Sequence, residues 1–578
     1  MSEPVLRRRP VPRLLPSRFR AGPPGTLQRI TPDSSLCRVR RGEVLVVQLR
    51  FAGSPDAANP QIICTVSPVS GQGAPREITL RQVSRQEFRM EHQAPACGSW
   101  EYQFRYSLNG GQSWHLDRFV ALTAMVDPAG MTNTRMYTLI PLATGRIPDW
   151  IRWLDEIKAM DFNMVHLLPV TAMDASASPY SVRDCFDIDE AWLDPDDSAP
   201  PLVQFERFVH RARELGLGLC IDIVMNHVGV TGEIARLCPE WIVPDPAEPD
   251  GFRRAGARHG DGWVEWRDLA LLDYDMPGAE RRQALWSYMG EYVMFWARYA
   301  HYTGGMIRLD NLHSSHQGFV GKIMGELRRE YPDLVVLGEF FADPHILKQQ
   351  ARSWGLNLVL GTPWGEKFAP GLRDYIRRVH ASPEEVRYFF PITSHDSGTP
   401  TEEFGTAEST MPRYLISMLM GTGHSGMVQG VEYGVEDKIK FIGQPDPLDP
   451  CGPPRFQGYI RKINSIARRY PLFSRPGNLE FVDGDHSAVL AAFRRAAAGE
   501  AEDFLVIANL DTEHSRTIQL DVTRLLPEGW GPVTELTGHG VTFAVEEPVW
   551  SLRLRPCGVR VLRLQRSAAG FVSLQAAD

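Results

Sequence analysis

Cysteine is scarce and unpatterned in this chain. Eight occur in 578 residues (Cys37, Cys64, Cys97, Cys185, Cys220, Cys238, Cys451 and Cys557), with no C-x-x-C pair and no zinc-ligand spacing. That excludes a disulfide-stapled miniprotein, and scattered thiols in a large chain predict a reduced, cytoplasmic protein. No apolar segment follows the basic, Pro-rich start, so no signal peptide is expected. The most apolar of the long stretches free of Asp, Glu, Lys and Arg runs from Tyr414 to Val431 and holds four glycines, a His and a Gln. It falls short of the roughly 20 apolar residues a membrane span needs, and no membrane partner is expected. An excess of positive charge is missing too: 62 Lys+Arg face 70 Asp+Glu, a net charge of −8. Nucleic-acid affinity rests on a basic surface, so no nucleic-acid partner is expected.

What is present is ordinary globular composition. Hydrophobic residues make up 43% and charged residues 23%, which excludes disorder, collagen and coiled coil. At roughly 100–200 residues per domain, the length predicts several domains. Residues 1–37 lack periodicity and are expected to be a flexible arm. Residues 38–128 carry short period-2 runs between turn signals, such as Glu43–Phe51 and Trp100–Tyr106, which predict a β-sandwich. Residues 129–475 alternate short apolar runs with longer amphipathic helices. Eight such runs begin near Met136, Met164, Leu217, Met306, Leu334, Leu356, Arg387 and Ser425. That pattern predicts an α/β fold, a (β/α)8 TIM barrel, over an open doubly wound sheet, because no Gly-rich phosphate fingerprint follows the first run. Residues 476–578 return to alternating runs and predict a C-terminal all-β sandwich domain.

A barrel of this kind builds its active site at the C-terminal ends of its strands. Polar residues gather there after four of the runs: Asp222, Asn226 and His227; Arg308, Asp310 and His313; Glu339; and His395 with Asp396. Four carboxylates, one arginine and several histidines, with no metal cage or cofactor loop, suit glycosidic-bond cleavage. That chemistry needs one carboxylate as nucleophile and one carboxylic acid to protonate the leaving oxygen. An arginine two residues before Asp310 is expected to favour its ionised form.

The ordered motifs resemble the signatures of the α-amylase superfamily, family 13 of the glycoside hydrolases. Asp222-x-x-x-Asn226-His227 is similar to the first, Arg308-x-Asp310 to the second, Glu339 to the third and His395-Asp396 to the fourth. The resemblance implies Asp310 as nucleophile, Glu339 as general acid/base and Asp396 as transition-state stabiliser. It implies Tyr180 as the platform under the cleaved sugar, with Asp222, His227, Arg308, His313 and His395 binding substrate. His313 comes three residues after Asp310, not four, and Arg308–Ser314 looks more like the 4-α-glucanotransferase half of the glycogen debranching enzymes. The implied activity is retaining transfer between α-1,4-glucans through a covalent intermediate on Asp310. An amylase-like hydrolase is the alternative, and a catalytically dead glucan-binding protein the third possibility. No α-1,6-glucosidase activity is expected. Neither is a required cofactor; calcium at Asn226 stays open, since no acidic cluster accompanies it. Trp100, Trp114, Trp263 and Trp266 are candidate sugar platforms.

Overall fold

The computed structural model describes residues 14–22, 28–30, 36–51, 59–69, 74–94, 96–131, 133–259, 262–448, 452–497, 499–525, 530–538, 542–543 and 549–566. The chain divides into two compact units. One comprises residues 1–131, 320–333 and 343–357; the other comprises residues 132–319, 334–342 and 358–578.

The first unit contains two five-stranded sheets. Their strands present apolar residues to a shared core in which Val47, Leu49, Ile62 and Phe104 are fully buried, as period-2 alternation requires. The stretch expected to be a flexible arm is different. Leu14–Gly22 is a strand, and it pairs antiparallel with Val44–Phe51 and with Gln28–Ile30. Its register slips between Pro16 and Arg18, where proline has no N–H to give the ladder. That proline hides the strand from a periodicity reading.

The second unit is organised around eight parallel strands. We number them β1 (Thr134–Leu139), β2 (Met164–Leu167), β3 (Gly218–Ile223), β4 (Met306–Leu309), β5 (Val335–Gly338), β6 (Leu358–Leu360), β7 (Tyr388–Phe389) and β8 (His424–Val428). Each neighbours the next, β8 returns to β1, and the backbone N–H groups of Phe390 and Ile392 donate to the carbonyls of His424 and Gly426 at 2.8 and 3.0 Å. Those bonds close a TIM barrel, each strand lying at an apolar run expected from sequence. The strands are short and mostly apolar because a parallel barrel buries both of their faces. Gly305, just before β4, shows how close they come: a Cβ there would stand 2.0 Å from the Leu219 carbonyl oxygen, so only glycine fits.

The C-terminal module also lies in the second unit. Its six-stranded sheet and a separate two-stranded ladder enclose Val489, Phe493, Leu505, Ile507 and Leu564. Arg494, fully buried, donates to the carbonyls of Gly421, Leu472, Phe473 and Arg475. Its charge thus meets backbone dipoles from the barrel side. Among the described residues no helix is long and apolar enough to cross a membrane. Seven cysteines are free thiols, and Cys451 lies outside the described residues.

Candidate active site

The strand ends converge on one guanidinium. Arg308, the third residue of β4, is 3% exposed. Its Nη1 donates to both Asp222 carboxylate oxygens, at 2.8 and 2.6 Å, and to Asp310 Oδ1 at 3.0 Å. Its Nη2 stands 2.9 Å from Glu339 Oε2. One cation therefore links the ends of β3, β4 and β5. The backbone holds the same arrangement, since Asp310 N–H donates to the Ile223 carbonyl and Glu339 N–H to that of Leu309.

Asn311 turns the chain directly after Asp310 with φ at 44°, a left-handed conformation that asparagine tolerates better than most residues. The turn aims its N–H at Glu339 Oε2, 2.8 Å away. Both contacts to Glu339 thus fall on one oxygen.

Tyr180 and His395 form the other wall. Tyr180 OH donates to Asp222 Oδ2 at 3.0 Å and stands 2.7 Å from His395 Nε2. Their rings are nearly parallel, 6° apart. His395 Nε2 also lies 3.2 Å from Asp396 Oδ2. Asp396 is the most open of the acids, its side chain 53% exposed, against 10% for Asp310 and 13% for Glu339.

The electrostatics separate the carboxylates. Burial alone would raise Asp222, but Arg308 and the hydrogen bond from His166 outweigh it and hold Asp222 well below the usual carboxylate range. Asp310 goes the other way. Burial first, and then the charge of Glu339, push it well above that range, and Arg308 offsets only part. This corrects the expectation that Arg308 keeps Asp310 ionised. The guanidinium is divided among three acids, and Asp222 takes its shortest contacts. Burial lowers His395 well below its ordinary value, helped by the Arg308 charge, so its imidazole is neutral.

Not every candidate joins this network. His227 is pinned by β-pairing of His227–Gly229 with the hairpin strand Gly262–Leu271. It packs on Trp266 and is pushed down to about 4 by burial. His313 sits in the turn after Asp310 against the exposed ring of Phe341. Of the tryptophans, Trp100 packs on the core of the first unit and donates to the Ala96 carbonyl, and Trp114 lies against Arg105. Trp263, 58% exposed, stands open on the hairpin.

Two participants were not read as site residues from sequence. His166 of β2 links Thr138 Oγ1 to Asp222 Oδ2, at 3.1 and 3.2 Å; a polar residue inside an apolar run was its only signal. Phe441 packs edge-on against Tyr180 and His395, and its sequence carries no signal at all. The donor set does not fit a calcium cage. Asn226 Oδ1 is buried without a hydrogen-bond partner, yet it is one neutral oxygen, and among the described residues no group of three or more His, Cys, Asp or Glu could hold a metal.

Arg308→Met is expected to cost about 3–5 kcal/mol, because the buried Asp222 and Asp310 and the half-buried Glu339 lose their shared counterion. Asp222 would lose the charge that holds its carboxyl well below the usual range, and burial would raise it, so the native state would bind more protons and lose stability as pH rises. The melting-temperature deficit against wild type should be larger at pH 7 than at pH 4. A pH-independent deficit would contradict this.

Comparison with known proteins agrees with the architecture. Residues 130–242 match the family described as glycogen debranching enzyme, glucanotransferase domain. The α-1,4-glucan:maltose-1-phosphate maltosyltransferase of Methylacidiphilum infernorum is 22% identical over 432 residues, 69% of this chain and 60% of that protein. Its counterpart in Picrophilus torridus is 23% identical over 68% of this chain and 62% of that protein. The chain thus spans about 60% of the length of these relatives. Among solved structures, a maltogenic α-amylase from Thermotoga neapolitana superposes with a TM-score of 0.60 at 17% identity, covering 76% of this chain and all of that one (100%). An α-amylase from Lactobacillus plantarum does so at 0.58 and 16%, covering 75% and 99%. At such identities the structural likeness shows the fold alone.

Proposed function

We propose that this chain is a member of the α-amylase superfamily and a retaining α-glucan transglycosylase. Asp310 serves as nucleophile, Glu339 as acid and then base, and Asp396 as stabiliser of the oxocarbenium-like state. The observation that carries the reading is the single buried guanidinium of Arg308 gripping Asp222, Asp310 and Glu339. Two carboxylates held by adjacent nitrogens of one cation are near neighbours, and retaining chemistry needs them roughly 5–5.5 Å apart.

The contacts divide the labour. Arg308 and the Asn311 N–H both bind Glu339 Oε2, leaving Oε1 to carry the proton towards the leaving oxygen. Arg308 binds Asp310 Oδ1, leaving Oδ2 to attack the anomeric carbon. The bond from that carbon to the leaving oxygen breaks as the Glu339 proton passes to it, and a β-glycosyl ester forms on Asp310. Glu339, now ionised, takes the proton of an incoming sugar hydroxyl, which displaces Asp310 and restores the α-linkage. Tyr180 supplies the stacking face. Neutral His395, with Asp396 and His227, offers hydrogen bonds to sugar hydroxyls.

Transfer and hydrolysis share this intermediate and differ in what attacks it. A barrier preference of about 1.4 kcal/mol changes the product ratio tenfold. With maltopentaose as sole substrate, a transferase makes both longer and shorter chains while reducing ends stay nearly constant. Steadily rising reducing ends without longer chains would replace this reading by the hydrolase. A second donor is suggested by the names of the relatives, maltose 1-phosphate. Release of inorganic phosphate when it is supplied with glucan would favour that donor.

A further inference from the structure

The loop after β8 does not leave the barrel mouth. Its stretch 435–448 contains neither helix nor strand, yet it is tied at both ends. Lys438 Nζ donates to the Asp396 carbonyl at 2.6 Å, and Thr399 Oγ1 donates to the Glu436 carbonyl. Farther on, the backbone N–H groups of Gly443, Asp446 and Leu448 donate to the carbonyls of Ala177, Leu142 and Ala143, at 3.0, 3.0 and 2.7 Å. The segment is therefore a strap from the loop after β7 to the loops after β1 and β2. At its middle stands Phe441. Its ring centroid lies 6.1 Å from that of Tyr180 and 5.3 Å from that of His395, edge-on to both at 85° and 84°, and Lys438 Nζ lies over the Phe441 ring, 5.6 Å from its centroid.

The direction of the substrate follows from the chemistry. Carbons 1 and 4 of a pyranose lie on opposite sides of the ring. Glu339, at the end of β5, protonates the oxygen on carbon 1, so the leaving chain extends towards the β4 and β5 loops. There the surface is open, with Phe341 43% exposed. The chain continuing from carbon 4 must point the opposite way, towards β8, β1 and β2, and that side is where the strap crosses.

We infer that the 435–448 strap closes the non-reducing side of the donor site, with Phe441 as its end wall, so that the enzyme draws short glycosyl units from chain ends. The inference rests on the transglycosylase reading above. Phe441 touches the sugar platform and not the reacting atoms; it sets donor length. An open cleft would accept a long chain lying across it and cut it internally. A walled one has no room for sugars beyond the first few.

The test uses maltoheptaose with a free non-reducing end against maltoheptaose carrying a 4,6-O-ethylidene cap there. The wild-type protein should turn over the capped donor about tenfold or more slowly, the discrimination a shaped pocket commonly gives. Phe441→Ala should raise the ratio of capped to uncapped turnover by a similar factor, while Phe441→Trp should keep it low. Initial wild-type products from the uncapped donor should differ from it by small increments at one end. Equal use of both donors by wild type, or early products spread evenly over all lengths, would overturn the strap. So would an unchanged ratio in a Phe441→Ala protein that melts normally. α-Maltosyl fluoride separates this failure from a deeper one, because it needs only the Asp310 chemistry. If wild type consumes the fluoride and uses both heptaoses equally, the strap inference fails and the mechanism stands. If the fluoride is not consumed, the transglycosylase reading fails and takes the strap with it.

Discussion

Asp310→Asn should leave a folded, glucan-binding protein whose turnover has fallen by roughly four orders of magnitude or more. The amide cannot form the glycosyl ester, and no other described carboxylate is placed to replace it: Asp222 is committed to Arg308 and His166, and Glu339 to Arg308 and the Asn311 N–H. Stability should move the other way. Asp310 is buried and held well above the ordinary carboxylate range, mainly by burial and then by Glu339. Its ionised form is thus a burden on the native state. A raised native pKa makes wild-type stability fall as pH climbs beyond the unfolded value near 4. The neutral asparagine removes that slope. The melting temperature of the variant should match or exceed that of wild type at pH 7, with an advantage that grows with pH. Residual activity above a few per cent would refute the nucleophile assignment. A sharp loss of melting temperature would instead show Asp310 to be a structural partner of Arg308.

Glu339→Gln should separate the two halves of the reaction. On glucans the loss should reach about 10²–10⁴-fold, the usual worth of a positioned acid and base. On a glycosyl fluoride, whose leaving group needs little protonation, formation of the Asp310 ester should stay fast. The ester should then persist, since glutamine cannot deprotonate the acceptor. Azide needs no base, so adding it should restore turnover and yield a β-glycosyl azide. The amide oxygen of glutamine can still accept the Asn311 N–H that now meets Glu339 Oε2, so the loss would report proton transfer and not a collapsed turn. Equal losses on glucan and fluoride with no azide rescue would place the acid elsewhere.

The eight apolar runs and the polar residues that follow them were legible without coordinates, because both faces of a parallel barrel strand are buried. Such a strand is a short apolar run, and the first residues after it are the ones that reach the mouth. Asp222, Arg308, Asp310 and Glu339 all occupy such positions, within or just beyond β3, β4 and β5. Other features needed the tertiary structure. The strand Leu14–Gly22 is hidden by Pro16, which breaks the alternation that would have revealed it. His166 looks like any polar residue in a buried run until the barrel sets it beside Asp222. Adjacency in sequence suggested that Arg308 would keep Asp310 ionised. In space its charge is shared, and it goes first to Asp222, which also receives His166 and Tyr180. Phe441 shows the same limit most fully. An aromatic in an aperiodic loop has no pattern to read, and its partners Tyr180 and His395 come from other loops, far away in the chain. Local sequence determines which residues point into the barrel mouth, because backbone alternation and burial are local. Which of them share a charge, and what closes over them, is decided by the packing of distant segments around one cation.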